Sequence, residues 1–571
     1  MKKLILTVCL LLCIFTSQVF ARTPLMPVDS LKAGMRGYAK TVISGDTIET
    51  FPVEVLGVTG SENAGYQILI RGSANVLERS GGIAQGMSGS PVYIDGKLAG
   101  AIAYGKAFTD PHYCFLTPIQ DMLDMLDKPV PHREKADSSL LPKGTALMAG
   151  GFSDAGLSLL QHELEASGIT VMNAGASGTE ASSKALEPGS SVGVALIQGD
   201  LSLGALGTVT WTDERGRFLA FGHPFMQRGD SDFFLTKTWV LASLPNLQAA
   251  YKIGNIGEAI GTVNQDRSAG IAGLVGKLPS FIPLYVSVTD STRSQNGSVR
   301  VRVINDEQMT PTLVSSVLVS QASKVADHGT GGSARLLFDI TAMDSKEELL
   351  HINRENMYFD KTSLMKQLPA ELQETVQVLL QNKLEQVRIT NIDVNVDMST
   401  ESLVAEIKKV TVEEKEPRPG DTIHLNVTLK PYRGENITRT VAYKLPKDAK
   451  GEIRLKVRGG ASTAWIQELM KQQKEEGAAQ DKKEKQQGQK KEKEKEKEKD
   501  IKLADYVREV NTADRNNDII VEYASGGPRP DMTEEEAEAS LAAMLSGGRN
   551  KQAVPVDYIV DGEQTVTVRL P

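Results

Sequence analysis

The segment GMSGSP, residues 86–91, places Ser88 between two glycines. Glycine permits a tight turn that a side chain would block, and the Ser88 hydroxyl can then stand exposed as a nucleophile. The backbone N–H groups around it, such as those of Gly86 and Ser88, can turn toward one point and form an oxyanion hole. A plain Gly/Ser turn between two strands is the alternative interpretation. The nucleophile hypothesis therefore requires a general base elsewhere in the chain.

Among the seven histidines of the sequence, His223 has the most ordered surroundings. It follows the apolar residues 218–221, and Gly222 and Pro224 fix its backbone on either side. His112 is nearer to Ser88 in sequence but lies in a polar Asp-Pro-His turn. The pattern favours His223 as the general base, with a structural histidine as the alternative. The others lie in linkers, in charged or poorly patterned segments, or on the outward side of a predicted strand: His132, His162, His328, His351 and His424.

A β-hairpin is predicted directly after the serine. Residues 92–94 and 97–104 are mostly apolar, and the Asp-Gly pair at 95–96 favours a type I′ turn between them. Residues 32–58 alternate around Ser-Gly-Asp, as a second hairpin would. Short strands at this spacing predict that residues 24–128 form a small β-barrel that carries Ser88.

His223 belongs to a second β-rich region, predicted over residues 190–340. Residues 217–221 form the strand that delivers the histidine, and residues 254–276 have the frequent glycines of tightly curved strands. Residues 129–189 between the two halves are predicted to be a linker and a helical segment.

The C-terminal part of the chain has a different pattern. Residues 341–470 contain an amphipathic helix over 369–383 and then alternating strands, which predicts a β-sandwich-like accessory domain. Residues 471–500 are a charged Lys/Glu linker without the apolar residues needed for a core. Residues 501–571 are predicted to complete the accessory domain.

Length and composition set broader bounds. A chain of 571 residues is too long to fold around a single hydrophobic core. Its net charge of −8 gives no electrostatic reason to expect nucleic-acid binding. Residues 1–21 combine two lysines, a short apolar run and small residues before a cleavage point, as in a secretory signal peptide. We therefore expect an exported protein that is periplasmic, extracellular or part of the cell envelope.

The sequence predicts neither a metal nor a cofactor. No His/Cys cluster has the spacing of metal ligands, and removal of residues 1–21 leaves Cys114 as the one cysteine, which excludes an intramolecular disulfide. The expected partners are a protein or peptide substrate and an envelope or membrane protein. The sequence does not determine the oligomeric state.

Residues 81–91, GGIAQGMSGSP, together with DGKLAGA at 95–101, are similar to the nucleophile segment of the SpoIVB family of serine peptidases. The resemblance extends over about residues 33–126. It implies a mainly β, chymotrypsin-like double β-barrel in which Ser88 is the nucleophile. Residues 207–210 and 218–224 resemble the segment with the family's histidine, which implies that His223 is the general base.

The chain departs from the family pattern in two ways. In the sporulation peptidases the histidine half comes first, whereas here Ser88 precedes His223, which implies a permuted order. The family's orienting aspartate precedes the nucleophile segment, where this chain has Ser73.

Asp266 is the replacement candidate, because it follows His223 by about the separation of histidine and aspartate in the chymotrypsin triad. A salt bridge to Arg267 or a turn cap is the alternative for Asp266, and Asp230 and Asp232 are further candidates.

Two functions of different class are therefore expected. One is an exported serine endopeptidase that uses Ser88, His223 and Asp266. The other is a catalytically inactive envelope scaffold or binding protein that retains the peptidase fold. The missing acid at Ser73 and the large C-terminal region favour the second.

Overall fold

The computed structural model describes residues 23–61, 65–106, 108–127, 140–142, 147–165, 169–175, 182–246, 249–326, 331–447, 449–460, 503–523 and 551–571. The predicted signal peptide at 1–21 and the charged linker at 471–500 lie outside the described residues, as do His132 and His328. Within the described part of the chain, no helix combines the length and the apolar character needed to cross a bilayer.

The chain is mainly β. Its strands are β1 (Arg36–Val42), β2 (Ile48–Ser61), β3 (Gly65–Gly72), β4 (Pro91–Ile94), β5 (Lys97–Lys106), β6 (Tyr113–Pro118), β7 (Leu140–Pro142), β8 (Leu147–Gly150), β9 (Val171–Gly175), β10 (Ser191–Gly199), β11 (Ser202–Thr212), β12 (Arg217–Ala220), β13 (Gly229–Leu244), β14 (Tyr251–Arg267), β15 (Gly270–Val275), β16 (Phe281–Asp290), β17 (Gln295–Ile304), β18 (Gly332–Met343), β19 (Leu349–Asp360), β20 (Arg388–Ser399), β21 (Val404–Val412), β22 (Thr422–Pro431), β23 (Ile437–Lys444), β24 (Glu452–Gly459), β25 (Asp518–Tyr523), β26 (Lys551–Pro555), β27 (Ile559–Asp561) and β28 (Glu563–Arg569). The helices are α1 (Asn75–Ser80), α2 (Ile119–Asp127), α3 (Asp154–Glu165), α4 (Thr310–Ala326), α5 (Ala370–Gln381) and α6 (Leu503–Thr512).

The described residues form two compact units. Unit 1 takes its residues from Met1–Ala146, Gly178–Ala195 and Gly204–Pro279, and unit 2 from Leu147–Ser177, Leu196–Leu203 and Ser280–Pro571. Ser88 and His223 both lie in unit 1, and the strands from β16 onward lie in unit 2.

Six strands of unit 1 close into a barrel. Their order is β4-β1-β2-β3-β6-β5, and β4 also pairs with β5. All six pairings are antiparallel. Alternate residues of β2 belong to the barrel core, as a strand with one buried face requires: Phe51, Val53 and Val55. A closed six-stranded barrel therefore stands where the strand spacing predicted a small barrel.

A second ring of strands in unit 1 runs β10-β13-β14-β15-β12-β11, and β10 also pairs with β11. The glycine-rich residues predicted to curve tightly form much of β14 and β15. A Cβ on Gly273 would lie 1.9 Å from the Thr262 carbonyl oxygen of the neighbouring strand, so this close approach requires glycine.

In unit 2, one sheet has the order β19-β18-β20-β16-β17, in which β16 and β20 are parallel. The sequence pattern had grouped β20 with the C-terminal strands, but its hydrogen bonds go to β16 and β18. Helix α4 packs against β16 and β17 and was not predicted. Most of its residues are buried, so it lacks the one-sided apolar stripe by which an amphipathic helix is recognised.

The strands from β21 onward form two four-stranded sheets of unit 2, β23-β22-β21-β27 and β26-β25-β24-β28. Both contribute to a common apolar core, with Leu425 from the first sheet and Leu455 and Ile519 from the second. In β22 the alternation predicted from the sequence is present, since Ile423 and Leu425 are buried and His424 between them is half-buried.

Candidate active site

Ser88 lies in the serine loop, residues 81–90, which connects α1 to β4. Gly86 and Gly89 in this loop have φ values of 87° and 89°, a conformation that glycine adopts without strain. Gly89 also lacks space for a side chain, because a Cβ there would be 1.9 Å from the Thr208 carbonyl oxygen. The loop leads into the β4–β5 hairpin, whose turn at 95–96 has positive φ at both residues, as a type I′ turn requires.

Most backbone N–H groups of the serine loop donate to backbone carbonyls. Those of Gln85, Met87, Gly89 and Ser90 donate to the carbonyls of Ala250, Ala84, Ile102 and Met87 respectively. No backbone carbonyl of the described residues accepts a hydrogen bond from the N–H of Gly86 or Ser88. The loop therefore leaves free the two donors that an oxyanion hole at these residues would need.

His223 follows the end of β12 in a sharp turn. Phe221 and Gly222 both have left-handed backbone conformations, with φ values of 70° and 69°. For an aromatic residue such as Phe221 this conformation is strained, and it is held by the packing around it. The Thr117 hydroxyl donates to the Gly222 carbonyl, which fixes the turn against β6.

The ring of His223 has a defined tautomer. Its Nδ1 lies 2.7 Å from the Pro224 carbonyl oxygen, which can only accept, so the proton is on Nδ1. Nε2 then carries the lone pair that a general base needs. Burial lowers the pKa of His223 to about 4, and the bond to Pro224 acts in the opposite direction. The imidazole is therefore neutral at neutral pH.

Thr208 in β11 joins the serine loop to the histidine turn. Its N–H donates to the Ser88 carbonyl at 2.8 Å, and its own carbonyl accepts from the Phe221 N–H at 3.3 Å. The Thr210 hydroxyl donates to the Gly89 carbonyl at 2.7 Å. The fold thus brings together two segments that lie far apart in the sequence.

The reactive atoms at this junction are enclosed. Ser88 is 0% exposed and His223 is 3% exposed. Neither Ser88 Oγ nor His223 Nε2 has a hydrogen-bond partner among the described residues, so the two do not bond to each other. The Tyr104 ring lies 6.1 Å from the His223 ring, centroid to centroid. Acyl transfer at Ser88 therefore requires a local movement that admits substrate and closes the gap between hydroxyl and imidazole.

Asp266 is buried but does not bond to His223. Its carboxylate accepts from the N–H groups of Phe225, Met226 and Arg228, at 2.7 to 3.1 Å. Burial raises the pKa of Asp266, and these N–H groups act in the opposite direction. The orienting bond expected from Asp266 is made instead by the Pro224 carbonyl. Asp266 fixes the segment that follows Pro224, which is the turn cap that the sequence had left open as its alternative.

The other candidate acids and bases have different partners. Asp230 pairs with Arg267 at 2.6 Å at the surface, and Asp232 accepts from the Thr262 hydroxyl. The exposed His112 pairs with Asp110 through Nδ1 at 2.7 Å. The backbone N–H of Ser73 donates to the Pro52 carbonyl. None of these bonds is to Ser88 or His223.

Sequence reasoning gave no role of their own to two residues of this region, Thr208 and Lys252. Lys252 is fully buried, and its side chain packs on Gly86 of the serine loop. A lysine at the start of a strand carries no signal of such burial, because its surroundings come from distant parts of the chain.

A separate group in unit 2 has donor atoms close enough to hold a metal ion. The ligand atoms of Glu413, Glu414 and His424 lie within 4.8 Å of one another. His424 Nδ1 pairs with Glu414 at 2.8 Å, and this pairing raises the pKa of His424. The three residues are exposed or partly exposed, and clusters of exposed acidic groups are common without an ion, so we assign the group no metal.

Comparison with known proteins bears on the serine segment. Residues 19–123 match the family model described as SpoIVB peptidase S55. No curated protein and no solved structure gives a significant match to the chain. The match covers the closed barrel and the serine loop, and it implies a protein substrate. The resemblance noted from the GMSGSP segment is confirmed, because residues 19–123 of this chain match the model of the SpoIVB peptidase S55 family.

Proposed function

We propose that the protein is a serine endopeptidase in which Ser88 is the nucleophile and His223 the general base. One observation carries the proposal. Within a segment that matches a serine peptidase family, the Ser88 hydroxyl is buried and has no hydrogen-bond partner among the described residues, and its loop bonds through Thr208 to the turn that holds a neutral histidine.

The proposed reaction begins with the Ser88 hydroxyl proton passing to His223 Nε2 while Oγ attacks the scissile carbonyl carbon. The free N–H groups of Gly86 and Ser88 donate to the resulting oxyanion. The histidine then gives its proton to the leaving amine, and water hydrolyses the acyl-enzyme ester by the same route. The Pro224 carbonyl holds the imidazole in the required tautomer. A neutral carbonyl stabilises the imidazolium less than a carboxylate would, so we expect a slow enzyme.

The same proposal includes the domain architecture and the export of the protein. The closed barrel and the second ring of unit 1 correspond to the two barrels of a chymotrypsin-like fold, with the serine half first in the chain. The two four-stranded sheets of unit 2 correspond to a sandwich-like accessory domain. We propose that the protein is exported, on the basis of the signal-like residues 1–21, and that it acts in the cell envelope or outside the cell.

Labelling with a fluorophosphonate probe tests the function, because the probe reacts only with an activated serine. The wild-type protein should be labelled and Ser88→Ala should not. Ser90→Ala is the matched control, since Ser90 is equally buried and no described residue bonds to its hydroxyl either. It should keep the wild-type rate.

The alternative is an inactive scaffold, and the enclosed, unbonded state of Ser88 and His223 favours it. Absence of labelling in the wild type would support the scaffold. Labelling that persists in Ser88→Ala would remove Ser88 from the mechanism.

A further inference from the structure

Lys252, at the start of β14, is a fully buried lysine in unit 1. Its Nζ donates to the Thr41 hydroxyl at 3.1 Å, and no other described residue gives it a hydrogen bond or an ion pair. A buried ammonium group with one neutral partner is unfavourable, because the lost hydration is not replaced. Burial accordingly lowers the pKa of Lys252 to about 7.

Both the backbone and the side chain of Lys252 contact the serine loop. Its N–H donates to the Gln85 carbonyl at 3.0 Å, and the Gln85 N–H donates to the Ala250 carbonyl at 2.7 Å. A Cβ on Gly86 would lie 3.1 to 3.3 Å from the Lys252 methylenes. The stem of the lysine therefore supports the residue that supplies one donor of the proposed oxyanion hole, two positions before Ser88.

The contacts of Lys252 among the described residues are with uncharged groups. Strand β1 presents Thr41, the serine loop presents Gly86, and β13 places Ser243 opposite Lys252 in register. The nearest charged residue along β1, Lys40, lies over the Tyr93 ring instead. The Glu49 carboxylate, which β2 places opposite Thr41, pairs with Arg79 and not with Lys252. A protonated Lys252 without an ion-pair partner gains from hydration, and separation of its stem from the loop admits water.

Building on the proposed function, we propose that Lys252 is a positioning residue for the serine loop. Uncharged, it holds the loop so that the N–H groups of Gly86 and Ser88 stay available to an oxyanion, and its protonation loosens the loop. The peptidase would thus be switched off by mild acid through a lysine and not through its histidine. The two ionisations are separable, since the pKa of His223 is about 4 and that of Lys252 about 7.

The rate of fluorophosphonate labelling between pH 4 and pH 9 tests the proposal on the full-length protein. The wild-type rate should fall roughly tenfold for each pH unit below 7, as one protonation requires. In Lys252→Met, which keeps the stem and removes the charge, the rate should persist until His223 is protonated. Lys97→Met is the matched control, because Lys97 is exposed in the hairpin after the serine loop, and it should follow the wild type. An unchanged acid limb in Lys252→Met would overturn the proposal.

Hydrogen exchange of residues 81–90 provides a readout that needs no activity. At pH 6 the loop should exchange faster in the wild type than in Lys252→Met, and at pH 8.5 the two should agree. Equal exchange at pH 6 would overturn the proposal even for an active enzyme. If the exchange differs as expected but no serine is labelled at any pH, the peptidase function alone fails. Lys252→Leu repeats both measurements should Lys252→Met not fold.

Discussion

Ser88 Oγ and His223 Nε2 are both buried in unit 1, and neither has a hydrogen-bond partner among the described residues. Folded proteins pair nearly all of their buried polar atoms, so two unpaired atoms in adjoining loops are unusual. A movement that brings the hydroxyl to the imidazole would give each atom a partner. A hydrogen bond typically contributes about 1 kcal/mol, which would favour that arrangement.

Replacement of His223 tests its role as the base. His223→Ala should lower the rate of fluorophosphonate labelling by about 1,000-fold or more, because the nucleophile and its general base work as a unit. His112→Ala is the control, since His112 bonds to Asp110 at the surface, and it should keep the wild-type rate. The reverse result would identify His112 as the base.

The buried imidazole also makes stability depend on pH. The pKa of His223 is about 4 in the folded state and 6.5 without burial, so between these values the unfolded chain binds more protons. Stability should therefore fall as the pH falls from 6.5 to 4, by about 3 kcal/mol from this group. Urea unfolding at several pH values should show that this loss is smaller in His223→Gln. An equal loss in both proteins would show that His223 is not buried in its neutral form.

Asp266 is expected to act through the segment after Pro224. Asp266→Ala should destabilise the protein by about 2 to 4 kcal/mol, because buried backbone N–H groups lose a charged acceptor. Asp266→Asn should slow labelling by only about tenfold, since an amide oxygen still accepts from one or two of these groups. An asparagine effect near the roughly 10,000-fold typical of a triad aspartate would instead place Asp266 on the histidine during the reaction.

Gly89 and Gly96 form a matched pair for the packing at the serine loop. Both have positive φ, but a Cβ on Gly89 would lie 1.9 Å from the Thr208 carbonyl oxygen, whereas one on Gly96 meets no atom within 4 Å. Gly96→Ala should cost about 1 kcal/mol of unfolding free energy, and Gly89→Ala about 4 kcal/mol or more. Thermal and urea unfolding measure both. Equal costs would mean that the serine loop is not packed against β11.

Local sequence determined much of the first barrel. The Asp-Gly pair at 95–96 specifies a turn with positive φ, and the alternation of β2 specifies one buried face. The glycines around Ser88 likewise indicated a tight loop, and the family resemblance of that segment was confirmed. These features depend on residues within a few positions of one another, and for that reason they can be predicted without knowledge of the fold.

Distant parts of the chain decided the rest. Helix α4 gave no periodic signal because it is buried on nearly all sides. Asp266 has the right sequence separation for a triad acid. Its carboxylate, however, accepts hydrogen bonds from N–H groups just after Pro224, and the Pro224 carbonyl bonds to His223 instead. Lys252 is enclosed by β1, β13 and the serine loop. The ionisation state and partners of a side chain depend on burial and on neighbours that only tertiary packing brings together. The roles of Asp266 and Lys252 therefore became visible only in the folded structure.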